Sequence, residues 1–182
     1  KLEEFIEFSI LNNIPILTIY ALSQENYKRK SVNLIFQLIE NFYKKFLDRL
    51  IKDKQVQVKI IGEKQTLSPK YKNIFTEIEK ATINFKKLKL NIVFNYGIFE
   101  ELSFVYNMLN KKNIKDADEK TIRSCMYLKN LPDPDLLIRT GGYQRLSNFI
   151  ILNLSYTELF FTKTLWPELK IKELNNIINK YK

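Results

Sequence analysis

Asp135-Leu136-Leu137-Ile138-Arg139-Thr140-Gly141-Gly142-Tyr143-Gln144-Arg145-Leu146-Ser147-Asn148-Phe149 opens as a short apolar run and then gathers two of the chain's five arginines and two of its four glycines. The pattern predicts a strand ending near Arg139 and a loop feeding a helix. Arg139, Arg145 and Ser147 are therefore expected at the carboxyl end of a strand, the edge at which open α/β sheets bind ligands. Planar guanidinium forks suit bidentate recognition of phosphate, and glycines let backbone amides approach oxyanions. A serine opening a helix adds a hydroxyl and free N–H groups. The local chemistry is that of a diphosphate site.

Working outward, further strand-like runs occur at Ile14 to Leu22, Val56 to Gly62 and Leu88 to Gly97, separated by stretches with helical periodicity. That alternation predicts an α/β domain with a mainly parallel sheet flanked by helices. Ser68 to Phe85 predicts a helix with Ser68 at its cap, Pro69 in its first turn, and Tyr71, Ile74, Phe75, Ile78, Ala81 and Phe85 on one face. A second helix is expected from Ser31 to about Leu50, with a wide apolar stripe that reads as core. A lipid tunnel would need the same composition. Helices are also expected from the N-terminus to Asn12, from Phe99 to Lys111, from Glu119 to Leu128 and from Leu169 to Tyr181.

The bulk properties narrow the classes. A length of 182 residues suits one domain with a real core, and 45% hydrophobic with 13% aromatic residues argues against disorder. The net charge of +10 is spread over lysines rather than gathered in one tract, so it favours polyanions without selecting one. No helix-turn-helix or RNA-recognition motif is present, and no nucleic-acid partner is expected. The chain has no histidine, which removes Ser/His and Cys/His triads and His-based zinc sites. Cys125, the single cysteine, falls in an apolar pattern with Ile122 and Met126 and reads as a buried structural thiol. The run Phe149 to Phe161 is broken by Asn153, Ser155 and Glu158, and it falls short of the roughly 20 residues that span a bilayer.

A second polar cluster ends the first strand: Tyr20-Ala21-Leu22-Ser23-Gln24-Glu25-Asn26-Tyr27-Lys28-Arg29. By itself it reads as a capped strand-to-helix loop with solvated charges. Beside the arginine cluster it becomes a candidate second wall of one crevice.

Together the clusters resemble the cis-prenyltransferases, the family of undecaprenyl and dehydrodolichyl diphosphate synthases. Leu17 to Arg29 is similar to the family segment LTLYAFSSENWNR, and Asn95-Tyr96-Gly97 to its NYGG region. Asp135 to Pro167 is similar to the long C-terminal signature, including the Ile-Arg-Thr-Gly-Gly run, Arg145 with Ser147-Asn148-Phe149, Tyr156 to Phe161, and Leu165-Trp166-Pro167. The resemblance spans residues 1–182, read as one catalytic domain. It implies a hydrophobic substrate tunnel and head-to-tail condensation of isopentenyl diphosphate onto an allylic diphosphate, farnesyl diphosphate in the usual case. The implied product is a cis-polyprenyl diphosphate for polyprenol, dolichol or glycan lipid carriers.

Carried over by position, the resemblance gives Arg139, Arg145, Leu146 and Ser147 to isopentenyl diphosphate. It gives Ser23, Gln24, Glu25, Tyr27 and Arg29 to the substrate loop, with Asn26 as an orienter of substrate or water, since an amide is a poor base. Mg2+ is the implied cofactor, with Glu158 as a hard oxygen ligand. Gln144 stands where the family often has a metal-side histidine, and Tyr27 stands where it usually has tryptophan. A homodimer, or a heteromer with an accessory subunit, and peripheral membrane contact are further expectations. The cytoplasm, the cytosolic face of the endoplasmic reticulum or a plastid is the expected setting. The family's Asp-Gly-Asn-Gly-Arg-Trp-Ala loop and its C-terminal Arg-rich tail have no counterpart in these residues, so the 182 residues are expected to be inactive alone. A non-catalytic partner subunit is the alternative within the family, and a basic nucleic-acid-binding module the remote alternative outside it.

Overall fold

The computed structural model describes residues 1–30 and 32–181. Ser31, where the second helix is expected to start, lies outside the described residues. Helix α1 (Leu2–Leu11) leads into β1 (Ile16–Ser23), a one-turn α2 (Gln24–Tyr27) and the long α3 (Val32–Asp53). Then follow β2 (Val56–Ile61), α4 (Pro69–Thr82), β3 (Leu88–Tyr96), α5 (Ile98–Lys111), α6 (Glu119–Cys125), β4 (Leu136–Arg139), β5 (Glu158–Phe161) and α7 (Ile171–Tyr181). Single 3-10 turns at Ile151–Asn153 and Trp166–Glu168 flank β5.

β3 is the organising strand. It pairs in parallel with β1 on one side and β2 on the other, giving the order β1-β3-β2. Leu88, Leu90 and Val93 are fully buried because both faces of β3 are covered, which explains its nearly unbroken apolar sequence. One face packs with Val58, Ile60, Ile74, Phe75 and Ile78 beneath α3 and α4; the other packs with Ile61, Tyr96, Leu128 and Ile150. The buried Asn91 amide is satisfied by Thr18 Oγ1 at 3.1 Å.

β4 and β5 form a separate parallel pair. Among the described residues no ladder joins β4 to β1, yet the two strands share their cores. Leu17 and Ile138 pack against Phe5, Phe8, Leu169 and Leu174, while Tyr20 and Leu137 pack with Val93 and Tyr96. Cys125 is buried beside Val105 and Met126, as the sequence pattern predicts.

One expectation is corrected here. The segment after the arginine cluster is not a helix but a 3-10 turn followed by β5. Its backbone is drawn to the free edge beside β4: the Glu158 N–H donates to the Asp135 carbonyl at 3.0 Å, and Thr157 Oγ1 to the Pro134 carbonyl at 2.6 Å. Two cavities are described. One, of about 290 Å³, lies between Lys59, Gly62, Phe104 and Tyr127. The other, of about 170 Å³, lies between Leu136, Glu158, Ile177 and Lys180. Under α3 the space is filled by rings, with Phe36 stacked on Tyr71 at 4.1 Å and tilted against Phe94 at 5.9 Å. The wide stripe of α3 thus splits, its inner part packing the core and Leu34, Leu38 and Phe42 standing exposed. No described helix is long and apolar enough to cross a membrane.

β2 ends at Gly62, whose φ is 128° and whose missing side chain makes room for the Phe94 carbonyl; a Cβ there would lie 2.0 Å from that oxygen. Gly62→Ala is expected to cost about 3 kcal/mol or more, combining a forbidden φ with a backbone clash. A lowered midpoint of chemical denaturation with unchanged slope is the readout.

Candidate active site

The site is built on the loop that follows β4. Gly141 and Gly142, at φ of 88° and 81°, turn the chain, and their amides donate to the Thr164 and Thr162 carbonyls at 2.9 and 2.8 Å. These N–H groups are engaged within the protein, so the expectation that they face an oxyanion is corrected. What the glycines supply is the left-handed turn that folds Arg145 and Ser147 back beside Arg139. Ser147 and Asn148 themselves adopt φ of 48° and 65°, so Ser147 does not open a helix.

Arg139 Nη1 donates to the Arg145 carbonyl and, at 2.8 Å, to Ser147 Oγ; Arg145 Nε reaches the same hydroxyl at 3.2 Å. The Tyr143 ring lies 4.3 Å from the Arg145 guanidinium carbon and 5.9 Å from that of Arg139, a cation-π support for both. Among the described residues neither guanidinium forms an ion pair with a carboxylate. The Arg139 Nε is buried without a partner. Burial, and then the Arg145 charge, pull the Arg139 guanidinium below its ordinary value, but an arginine in a protein remains charged. Two adjacent cations without a counter-ion repel one another, and a polyvalent anion with several acceptor oxygens relieves that repulsion.

Long-range contacts fasten this loop to the carboxyl ends of β1 and β3. Phe149 stacks on Tyr20 at 4.4 Å, Tyr20 donates its hydroxyl to the Tyr96 carbonyl at 3.0 Å, and Asn148 Oδ1 accepts from the Ile98 N–H at 3.1 Å. Beneath them the buried Glu101 carboxylate accepts from the Tyr96 hydroxyl at 2.6 Å and the Tyr127 N–H at 2.7 Å. The polar turn after β1 adjoins the same edge. Ser23 caps α2 by accepting from the Asn26 N–H at 3.2 Å, Gln24 accepts from Lys28, and Glu25, Asn26 and Arg29 are exposed. Burial, then the Glu25 charge, push the Tyr20 hydroxyl up to about 12.

Arg139, Arg145 and Ser147 are thus brought together, with Ser23 to Arg29 on the adjoining turn. Leu146 points elsewhere, packing into the core with Val93 and Tyr96. Gln144 is exposed. Glu158 is not brought to the arginines: it opens β5 opposite Leu136, whereas Arg139 pairs with Phe161, an offset of roughly 10 Å along the strands. The sequence gives Tyr143 no role, although it lies between the two arginines, and holds no local signal for the contacts made by Tyr20, Asn148 and Thr162, whose partners are distant in the chain.

A family model described as putative undecaprenyl diphosphate synthase matches residues 1–182. The chain belongs to this family, the cis-prenyltransferases. It is 36% identical to the isoprenyl transferase of Aquifex aeolicus over 181 residues, covering 98% of this chain and 78% of that one. It is also 36% identical to a tritrans,polycis-undecaprenyl-diphosphate synthase (geranylgeranyl-diphosphate specific) of Picrophilus torridus over 190 aligned residues, covering 100% and 74%. Among solved structures, the probable undecaprenyl diphosphate synthase of Campylobacter jejuni superposes with a TM-score of 0.88 at 28% identity, covering 99% and 86%. Lavandulyl diphosphate synthase of Lavandula x intermedia, in complex with dimethylallyl diphosphate, gives 0.90 at 27%, covering 99% and 81%. The architecture of a parallel sheet flanked by helices is therefore the family's.

Asp133 secures the approach to β4, accepting from Arg123 Nη1 at 2.9 Å and Asn153 Nδ2 at 3.0 Å and so tying α6 to the 3-10 turn after the arginine loop. Burial alone would push its carboxyl up, but the hydrogen bonds from Arg123 and Asn153 outweigh it and hold the group below the usual range. A folded value below the unfolded one means that the stabilisation is complete above the ordinary aspartate range and is lost as pH falls through the depressed value. Asp133→Asn is expected to cost about 1 to 2 kcal/mol near neutrality, with Arg123 partly solvated. The variant should also lose this residue's share of acid destabilisation, read from denaturation midpoints measured between neutral pH and about pH 3.

Proposed function

We propose that this enzyme condenses isopentenyl diphosphate with an allylic diphosphate and releases a cis-prenyl diphosphate and inorganic diphosphate. The observation that carries the reading is the pair of uncompensated guanidinium groups converging on Ser147 at the carboxyl edge of β4. Arg139, Arg145 and Ser147 hold the isopentenyl diphosphate, with Tyr143 bracing both cations. The allylic diphosphate, farnesyl diphosphate in this reading, lies toward the Ser23 to Arg29 turn. Its prenyl chain follows the apolar side of β1 and α3, where Leu17, Ile19, Ile35 and Ile39 are half-buried and Leu38 and Phe42 exposed. Relatives name different primers, geranylgeranyl diphosphate for the Picrophilus synthase and dimethylallyl diphosphate in the lavandulyl synthase complex.

In the reaction the C1–O bond of the allylic substrate breaks as the isopentenyl double bond attacks C1. A proton then leaves the isopentenyl unit to restore an alkene. Positioned cations stabilise the charge that grows on the departing diphosphate, and that diphosphate can take the proton, leaving Asn26 to orient the substrate. Magnesium, implied by the family, does not fit the residues gathered here. Among the described residues no set of three carboxylate, histidine or cysteine side chains could hold a metal ion, and Glu158 stands apart from the arginines.

Assembly with a second copy has a candidate surface in the exposed stripe Phe99, Leu102 and Tyr106 on α5. Spacings of three and four residues place the three side chains on one helix face. Phe99→Asp is expected to shift the protein to a monomer in sedimentation velocity. For the diphosphate site, Arg139→Ala is expected to weaken isopentenyl diphosphate by about 2 to 4 kcal/mol through loss of a charge-assisted pair. Titration calorimetry on the purified protein measures it, and an unchanged affinity would overturn the assignment.

A further inference from the structure

The cavity of about 290 Å³ lies at the carboxyl end of β2, and none of its lining residues belongs to the arginine loop or to the turn after β1. Its volume is at the small end of the range for ligand pockets, about 300 to 1,000 Å³, so it suits a single ring with one substituent. Part of the lining is aromatic: Phe104 of α5 stacks on Tyr127 with centroids 4.9 Å apart and planes 25° from parallel. Another part is cationic. Lys59 is half-buried, its Nζ donates to the Tyr127 carbonyl at 3.4 Å, and among the described residues it forms no ion pair. Burial, offset in part by the Glu79 charge and reinforced by those of Lys129, Lys64 and Lys89, pulls the Lys59 amine below its ordinary value. Glu79 is already engaged, accepting from Lys64 Nζ at 2.8 Å and from the Ile60 N–H at 2.7 Å. Glu63, the one carboxylate in the lining, accepts from the Gln65 N–H at 2.5 Å. The surroundings of Lys59 therefore remain positive. A lysine can also protect an edge strand from pairing, but side chains of α4 already close this edge: Thr82 Oγ1 accepts from the Val58 N–H at 3.0 Å, and Glu79 from that of Ile60.

We propose that this cavity binds a small phosphate monoester carrying a planar ring, with the ring against Phe104 and Tyr127 and the phosphate on Lys59. A phosphate dianion suits the site better than a carboxylate because three further lysines, Lys64, Lys89 and Lys129, add to the positive field at Lys59. An ammonium acts as a point charge toward phosphate and needs no planar, two-pronged partner. The ring contributes by stacking, which is tolerant of its hydrogen-bonding pattern. The site takes no part in the condensation proposed above.

Phenyl phosphate, inorganic phosphate and phenol are the probes, titrated by calorimetry into full-length protein carrying Arg139→Ala and Arg145→Ala, so that the arginine loop does not contribute. Phenyl phosphate is expected to bind about five- to hundredfold more tightly than inorganic phosphate, the factor for one stacked ring. It should bind about ten- to hundredfold more tightly than phenol, the factor for a hydrogen bond to a charged group. Adding Lys59→Met, which keeps an apolar stem, should abolish the advantage over phenol, and Phe104→Leu should reduce the advantage over inorganic phosphate. A measurement that leaves Lys59 in place reads the same contact: bound phenyl phosphate is expected to slow acetylation of Lys59, followed by mass spectrometry, while the exposed Lys111 on α5 reacts at its free rate. Phenyl phosphate that binds no more tightly than inorganic phosphate, or that leaves the acetylation of Lys59 unchanged, would overturn the proposal.

Discussion

The backbone of β3 sets the terms for the rest of this molecule. Leu88, Leu90 and Val93 have no solvent exposure, so the N–H and C=O groups of the strand must find partners within the protein. They do so in two parallel ladders, with β1 and with β2. Parallel pairing brings the ends of these strands to one edge, and the crossovers that it requires place the helices on the faces. The turn after β1, the Gly62 turn after β2 and the start of α5 after β3 therefore become neighbours although they are far apart in sequence. Polar side chains that would be scattered over a surface in another topology collect here.

The arginine loop joins that edge by aromatic and amide contacts rather than by a strand ladder. Phe149 on Tyr20 and Asn148 on the Ile98 N–H bridge the two sheets, while Asp133 and Thr162 hold the loop from behind. The outcome is an electrostatic arrangement that is unfavourable by itself: two guanidinium groups side by side, sharing one serine hydroxyl and lacking a carboxylate. Two other arginines are neutralised, Arg49 by Glu3 and Glu7, and Arg123 by Asp133 and Glu119, while Arg29 stands exposed on the turn after β1. That contrast distinguishes a binding site from ordinary surface charge, because the guanidiniums at residues 139 and 145 sit side by side with their counter-charge left to be supplied from outside.

Much of this was legible in the residues. Alternating apolar runs and helical stripes gave β1 to β4 and the long helices close to their observed bounds, because burial on both faces leaves a nearly continuous apolar strand. The arginine cluster and the Ser23 to Arg29 turn announced themselves by composition. The stretch from Phe149 to Phe161 misled, since an apolar run of that length fits a helix as well as a strand, and only the open edge of β4 resolved it. The glycine amides misled for a related reason: a sequence shows that glycine permits a turn, but not that Thr162 and Thr164 already occupy its N–H groups. Leu146 and Glu158 were placed by position in a motif, and packing and strand register set them apart from the arginines.

The sequence by itself determined the parallel α/β class, the family, and the identity of the charged groups that meet a diphosphate, since these depend on local pattern and side-chain chemistry. Tertiary structure alone decided which of those groups share one edge, how Tyr143 and Ser147 hold the two guanidiniums, and how Lys59 comes to line one cavity with Phe104 and Tyr127. Each of these rests on contacts between residues distant in the chain, such as Lys59 with Tyr127 and Tyr20 with Phe149. Such pairs become neighbours only when the backbone demands of a buried strand have fixed the topology.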